Sequence, residues 1–361
     1  MRILIAGGGT GGHLMPALAL ARAAAAAGFE PVLVGAERGI EARILRSYPF
    51  RFHLLPLEPL YRRQWWRNLR WPLIAVRAWR AAGQVLATER PAIVVGTGGY
   101  AAGPVVWRAQ RAGIPTALQE QNAFPGIATR LLARGARQLY LGFPEAGTRL
   151  HAGARTEVFA FGNPIAPPPR EPLDRGAALA TFGLDAARPA VLVFGGSQGA
   201  RALNQAVAGA LTEGRLTNVN VLWSTGTAHH IRYAPLAVSG RVVVREFIDP
   251  MAPAYAAADL AVCRAGAMTI AELCAWGKAS VLVPLPTAAA DHQTANAHAL
   301  AAAGAAVLLL ERDLSPEALA QLVQNLLGDR ERLALLSAAA RSRGRPDAAR
   351  VIMSKILTLV S

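Results

Sequence analysis

Three glycine-rich turns, Gly7-Gly8-Gly9-Thr10-Gly11-Gly12-His13, Gly96-Thr97-Gly98-Gly99-Tyr100 and Gly195-Gly196-Ser197-Gln198-Gly199-Ala200, each follow a short apolar run. Glycine lets the backbone reach positive φ and approach an anion closely, and a helix starting just after the turn aims its first N–H groups at the same point. The repeated order of apolar run, turn and helix restricts the chain to α/β units with a phosphorylated or sugar ligand at the strand ends.

Two nucleotide-binding patterns are absent. After Pro31-Val32-Leu33-Val34 comes Gly35-Ala36 in place of the acidic residue of a dinucleotide site. None of the turns ends in Gly-Lys-Ser/Thr, and the chain holds only two lysines, Lys278 and Lys355. No cofactor is therefore expected. Cys263 and Cys274 form no zinc spacing or disulfide framework, which fits a reducing cytoplasm. No Asp-x-Asp pair is placed to hold a metal under a diphosphate, so helix dipoles and backbone N–H groups are expected to stabilise a leaving nucleotide.

At 361 residues the chain exceeds what one core usually fills. In the first half, Arg2–Ala6, Pro31–Val34, Phe52–Leu55, Ala92–Val95, Thr116–Leu118 and Gln138–Leu141 read as strands, with helical patterns between them. Their unbroken apolar character is that of parallel strands buried on both faces. Asn163-Pro164-Ile165-Ala166-Pro167-Pro168-Pro169-Arg170 then interrupts the pattern and reads as a linker. The alternation restarts with Ala190–Phe194, Asn218–Ser224, Arg241–Val244, Asp259–Cys263, Ala279–Val283 and Ala306–Leu310. The expectation is two doubly wound α/β domains, 1–162 and 171–340, joined by 163–170 and enclosing a cleft, with a helix in 341–361 packing back on the first.

The net charge of +15 is unevenly spread: residues 1–162 hold twenty arginines against eight acidic residues, and the rest eighteen basic against fifteen acidic. Between Tyr61 and Arg80, Trp65, Trp66, Trp71 and Trp79 alternate with six arginines, and no acid lies between Glu58 and Glu89. Tryptophan favours the membrane interface, and each basic residue near an anionic leaflet contributes about 1 kcal/mol. The segment, with Trp65, Trp66, Arg67, Arg70, Trp71 and Ile74 as its contacts, is read as a peripheral membrane surface. A packed helix with a solvated arginine face is the alternative. No nucleic-acid module accompanies it, so nucleic acid is not an expected partner. No signal peptide or spanning segment is legible.

His13 opens the helix after the first turn, where the dipole favours a neutral imidazole able to take a proton from a hydroxyl; a turn-capping role is the alternative. Gly98, Gly99 and Tyr100 suit a diphosphate-bearing acceptor, or serve only the turn. Gln119-Glu120-Gln121-Asn122 emerges at a strand end and suits sugar hydroxyls. Thr269 and Glu272 fall on nearly one helix face, so Glu272 either accepts ribose hydroxyls or complements the helix N-terminus. Asp291-His292-Gln293 offers groups for a sugar, with Asp291 also a candidate N-cap.

Read in order, Gly8-Gly9-Thr10-Gly11-Gly12-His13, Gly98-Gly99-Tyr100, Glu120-Gln121-Asn122, Gly162-Asn163-Pro164, Gly195-Gly196-Ser197-Gln198-Gly199-Ala200, Glu246-Phe247-Ile248-Asp249, Arg264-Ala265-Gly266-Ala267-Met268-Thr269 and Asp291-His292-Gln293-Thr294-Ala295-Asn296-Ala297 resemble the MurG family of peptidoglycan glycosyltransferases along most of the chain. The resemblance implies a GT-B architecture of two Rossmann-like domains. It implies inverting transfer of N-acetylglucosamine from UDP-N-acetylglucosamine to the C4 hydroxyl of the N-acetylmuramyl unit of lipid I, giving lipid II, at the cytoplasmic face of the plasma membrane. On the donor side it implies Phe247 and Ile248 at the uracil; Gly196, Ser197, Ala267, Met268 and Thr269 at the diphosphate; and Glu272 at the ribose. Thr10, Gly11, Gly12, Asn122, His292 and Gln293 complete the donor set. Gly12, His13, Gly98, Gly99 and Tyr100 would take the acceptor, with His13 as base and Glu120 in reserve. Cell-wall or division-complex proteins are further expected partners. Two departures stand out: Ala166 where the family often has arginine, with Arg170 as a distant substitute, and Gln119 where it has histidine. The competing expectations are a GT-B enzyme with another lipid acceptor and a non-catalytic UDP-sugar-binding membrane protein.

Overall fold

A computed structural model describes residues 1–58, 69–196 and 199–360. The chain divides into two compact units, Met1–Ala166 with Arg345–Ser361, and Pro167–Gly344.

The first unit runs β1 (Arg2–Ala6), α1 (Gly11–Ala26), β2 (Glu30–Ala36), α2 (Glu41–Ile44), β3 (Arg51–Leu55) and α3 (Trp71–Glu89). It continues through β4 (Ile93–Gly96), α4 (Gly99–Arg111), β5 (Thr116–Glu120), α5 (Ile127–Leu132), β6 (Gln138–Leu141) and β7 (Glu157–Phe159). All pairings are parallel, in the order β3-β2-β1-β4-β5-β6-β7. The central strands β1, β4 and β5 are buried almost throughout, the outcome expected of apolar runs covered by helices on both faces.

The second unit begins with α6 (Arg175–Thr181), β8 (Ala190–Phe194), α7 (Arg201–Thr212), β9 (Asn220–Ser224), α8 (His230–Tyr233), β10 (Val242–Arg245), α9 (Met251–Ala257) and β11 (Leu260–Cys263). It ends with α10 (Ala267–Trp276), β12 (Ser280–Leu282), α11 (His292–Ala302), β13 (Val307–Leu308), α12 (Pro316–Gly328) and α13 (Arg330–Arg343). The six-stranded order β10-β9-β8-β11-β12-β13 repeats β3-β2-β1-β4-β5-β6 of the seven-stranded first sheet. In each sheet the order reverses beside its first strand, at β1/β4 and at β8/β11, and ligands of such sheets bind outside the carboxyl ends at that switch point. The three glycine turns follow β1, β4 and β8 and so lie at these two places.

The last helix, α14 (Ala348–Leu357), joins the first unit, with Ala348, Ile352, Met353 and Ile356 packed into a core containing Leu14, Leu18 and Ala21 of α1. The linker expectation needs adjustment at its start. Asn163, Pro164 and Ile165 are buried in the first unit because the Asn163 amide bonds Gln119 and Gln121, and the division falls after Ala166.

At the amino edge of the first sheet, away from the turns, buried Glu89 accepts from His53 (2.7 Å) and Arg51 (3.1 Å) and pairs with Arg2. Burial would raise its pKa, but the His53 hydrogen bond and the fields of Arg51, His53 and Arg2 hold it below the ordinary value. Among the described residues, no helix is long and apolar enough to cross a membrane.

Candidate active site

In the first unit the turns after β1 and β4 pack backbone against backbone. Gly99, at φ +77°, lies so close to the carbonyl oxygen of Gly8 that a Cβ would overlap it, and a Cβ at Gly98 would meet the His13 ring nitrogen Nδ1 at 2.8 Å. Glycine is therefore the price of bringing two helix N-termini together. α1 and α4 start there with no side-chain cap on Thr10 or Gly98, and Thr10, Gly11 and Gly12 are exposed. Such ends carry partial positive charge and favour an anion. Beneath the first turn, fully buried Glu41 accepts from the Gly9 N–H. The Tyr100 ring lies against Gly9.

His13 is half-buried, and its Nδ1 lies 3.0 Å from Gln121 Oε1 and 3.2 Å from the Thr97 carbonyl oxygen. Buried Glu120 points elsewhere: Oε1 accepts from the Asn122 backbone N–H (3.1 Å) and side-chain amide (3.3 Å), and Oε2 from the Gly126 N–H (3.0 Å). The carboxylate held in reserve as a base thus braces the 120–126 loop. Gln119, at the family's histidine position, donates to Asn163 Oδ1 at 2.9 Å.

In the second unit, a cavity of about 400 Å³ is lined by Gly195, Gly199, Arg201, Arg264 and Gln293, among others. Arg264 pairs with Glu311 and donates to the Val283 and Pro284 carbonyls. Gln293 Oε1 accepts from the Leu285 N–H at 2.9 Å, and His292 Nδ1 is 2.6 Å from the Ala289 carbonyl oxygen. Asp291 precedes α11 but does not cap it with its side chain; it has φ +53° and accepts from Thr294 Oγ1. Gly196 has φ +81°, and Ser197 lies outside the described residues.

α10 begins at Ala267 after the N-cap Gly266, and Met268, Thr269 and Glu272 are half-buried on it. Burial raises the Glu272 pKa above the ordinary carboxylate value, while a hydrogen bond from Tyr255 Oη (2.7 Å) acts in the opposite direction. Phe247 is 47% exposed and Ile248 nearly buried. Glu272, Phe247 and Ile248 are not among the described residues lining the cavity.

The membrane segment is described only in part, since Trp65, Trp66 and Arg67 lie outside the described residues. Ile74 departs from its expected role: with Ala78, Ala82, Val85 and Leu86 it forms the buried face of α3, set by helical periodicity. Trp71 is half-buried. The outward apolar residues are Leu69, Leu73 and Val76, with exposed Arg70, Arg77 and Arg80 beside them. On α4, exposed Trp107 contacts Trp79 at 4.5 Å between centroids.

Two doubly wound parallel sheets with glycine turns at their switch points form the GT-B fold, and with the family match that follows they make the chain a GT-B glycosyltransferase. The chain belongs to glycosyltransferase family 28, whose N-terminal domain matches residues 3–141 and whose C-terminal domain matches 190–352. It is 42% identical over 367 residues to the UDP-N-acetylglucosamine–N-acetylmuramyl-(pentapeptide) pyrophosphoryl-undecaprenol N-acetylglucosamine transferase of Chlorobaculum parvum, covering 99% of both chains. A relative of the same name from Moorella thermoacetica is 41% identical, with 100% of this chain and 99% of its own covered. The crystal structure of Acinetobacter baumannii MurG superposes with a TM-score of 0.79 at 30% identity over 99% of both chains. CalG4, the calicheamicin glycosyltransferase, shares the fold at TM-score 0.69 and 17% identity, over 100% of this chain and 99% of its own.

Proposed function

We propose that this protein transfers N-acetylglucosamine from UDP-N-acetylglucosamine to the C4 hydroxyl of the N-acetylmuramyl unit of lipid I, forming lipid II for peptidoglycan synthesis. The observation that carries the reading is end-to-end similarity to relatives named for this transfer. The uncapped starts of α1 and α4 suit the acceptor diphosphate, with Gly12, Gly98, Gly99 and Tyr100 around it.

His13 is the base that takes the acceptor proton as the hydroxyl oxygen attacks the anomeric carbon. The bond to the UDP oxygen breaks on the opposite face, inverting the centre. Thr10 and Gly11, exposed beside the base, are assigned to the donor sugar. In the second unit the start of α10, with Ala267, Met268 and Thr269, and the turn bearing Gly196 are assigned to the leaving diphosphate. Glu272 takes the ribose, Phe247 and Ile248 the uracil, and His292 and Gln293 the sugar.

A peripheral position at the anionic cytoplasmic face of the plasma membrane is supported by the apolar and basic surface of α3 and α4. Release of UDP from UDP-N-acetylglucosamine, measured with and without a short-chain lipid I analogue, tests the reaction. Release that requires the acceptor is expected. Saturable donor binding without acceptor-dependent release would overturn the reading.

A further inference from the structure

Among the described residues, the His13 ring is held at Nδ1 by two oxygens, which only accept. The Thr97 carbonyl oxygen has no proton to give, and it lies 3.2 Å from Nδ1. The same oxygen lies 2.7 Å from one side-chain atom of Gln121, so that atom is the amide nitrogen and its partner at 3.0 Å from Nδ1 is Oε1. Both contacts therefore call for a proton on Nδ1, and the imidazole lone pair falls on Nε2.

The amide is itself fixed. Gln121 is 2% exposed, and its nitrogen also donates to the Gln119 carbonyl (3.1 Å) and side-chain oxygen. Gln119 donates to Asn163 Oδ1 at 2.9 Å, and Asn163 Nδ2 returns a bond to the Gln121 carbonyl at 3.0 Å. Thr97 Oγ1 donates to the His13 carbonyl at 2.8 Å, tying the start of α1 to the same turn. Among the described residues, the titratable groups next to this turn are Glu41 of α2, Tyr100 of α4, and Glu120 of β5, whose carboxylate faces Asn122 and Gly126. None of the described contacts brings a carboxylate to Nδ1.

We propose that Gln121 is the positioning residue of His13: with the Thr97 carbonyl it holds the Nδ1–H tautomer, so that Nε2 receives the acceptor proton with a neutral amide behind the ring instead of a carboxylate. The inference rests on His13 being the base. A neutral partner orients the ring and stabilises the imidazolium less than a carboxylate in the same place would. Gln121 thereby sets the direction of the group.

The test combines nitrogen NMR of the full-length protein labelled at histidine with turnover on UDP-N-acetylglucosamine and a short-chain lipid I analogue, from about pH 5.5 to 9. His13→Ala identifies the His13 signals and gives the rate without the base. Wild type is expected to show the Nδ1–H tautomer. Gln121→Leu should mix the tautomers and lower kcat about 30-fold, with donor KM within about twofold. Gln121→Glu, which keeps an acceptor toward Nδ1 but loses the amide's bonds to Thr97 and Gln119, should keep the Nδ1–H tautomer and move the acid limb of kcat/KM upward by about one pH unit. An unchanged tautomer and kcat in Gln121→Leu, or an unmoved acid limb in Gln121→Glu, overturns the positioning role. Retained turnover in His13→Ala overturns the base assignment instead, and the tautomer measurement still reports on Gln121.

Discussion

The Tyr255 hydroxyl bears on the carboxylate proposed for the ribose. In that proposed role Glu272 accepts ribose hydroxyls in its ionised form, and burial alone pushes its pKa upward. A raised pKa means that the proton is retained to higher pH, so donor binding weakens as pH falls through that value. The Tyr255 hydroxyl, bonded at 2.7 Å, counters the rise. Tyr255→Phe should therefore start the loss at higher pH: donor KM is expected to rise about fivefold near pH 6 and less than about twofold near pH 8, with kcat unchanged. A KM ratio independent of pH would separate Tyr255 from the titration. At this scale the sequence was informative where spacing reports geometry, as for Glu272 on the second turn of α10. Tyr255 left no such signal, because its contact joins α9 to α10 across seventeen residues without a pattern. Gln121 sat within a polar run whose members read alike, and only the fold separates the loop-bracing Glu120 from the ring-facing Gln121.

The glycine turns act as elements because each sets the start of a helix. Gly99 combines φ +77° with close approach to the Gly8 carbonyl, so Gly99→Ala meets both backbone strain and overlap. We expect a loss of about 2–4 kcal/mol in thermal or denaturant unfolding, and turnover on the folded fraction should also fall because the His13 turn must shift. Gly103, with no atom of the described residues within 4 Å of its Cβ position, supplies the control: Gly103→Ala in α4 should be neutral or slightly stabilising. The glycine turns and the buried strands were legible because parallel β-strands covered on both faces are written as continuous apolar runs. β7 was not, since Glu157-Val158-Phe159 is a short edge strand with two exposed residues and no such run. The Asp291 cap likewise failed at element level: the chain enters α11 through Ala290 and Asp291 at positive φ, and the carboxylate turns to Thr294.

On the scale of the molecule, the excess of positive charge in the first half acquires a direction from α3 and α4. Ile74 faces the core, while Leu69, Leu73, Val76 and Trp107 are 73%, 58%, 48% and 51% exposed, with Arg70, Arg77 and Arg80 exposed beside the α3 group. Apolar side chains that insert and guanidinium groups that neutralise lipid phosphates should act together, because either alone gives weak, reversible attachment. Binding to vesicles containing anionic phospholipid is therefore expected to fall steeply between about 50 and 500 mM salt and to be slight on neutral vesicles. Leu73→Ser with Val76→Ser should weaken it about tenfold while leaving turnover on a short-chain acceptor unchanged. Ile74→Ser should do the converse: lower stability by about 2–4 kcal/mol, with vesicle binding by the folded protein preserved. The opposite response of these neighbouring positions distinguishes a lipid-facing surface from a merely packed helix. Equal vesicle binding by the double variant and the wild type would assign the outward face of α3 to solvent and leave the charge excess without a membrane role.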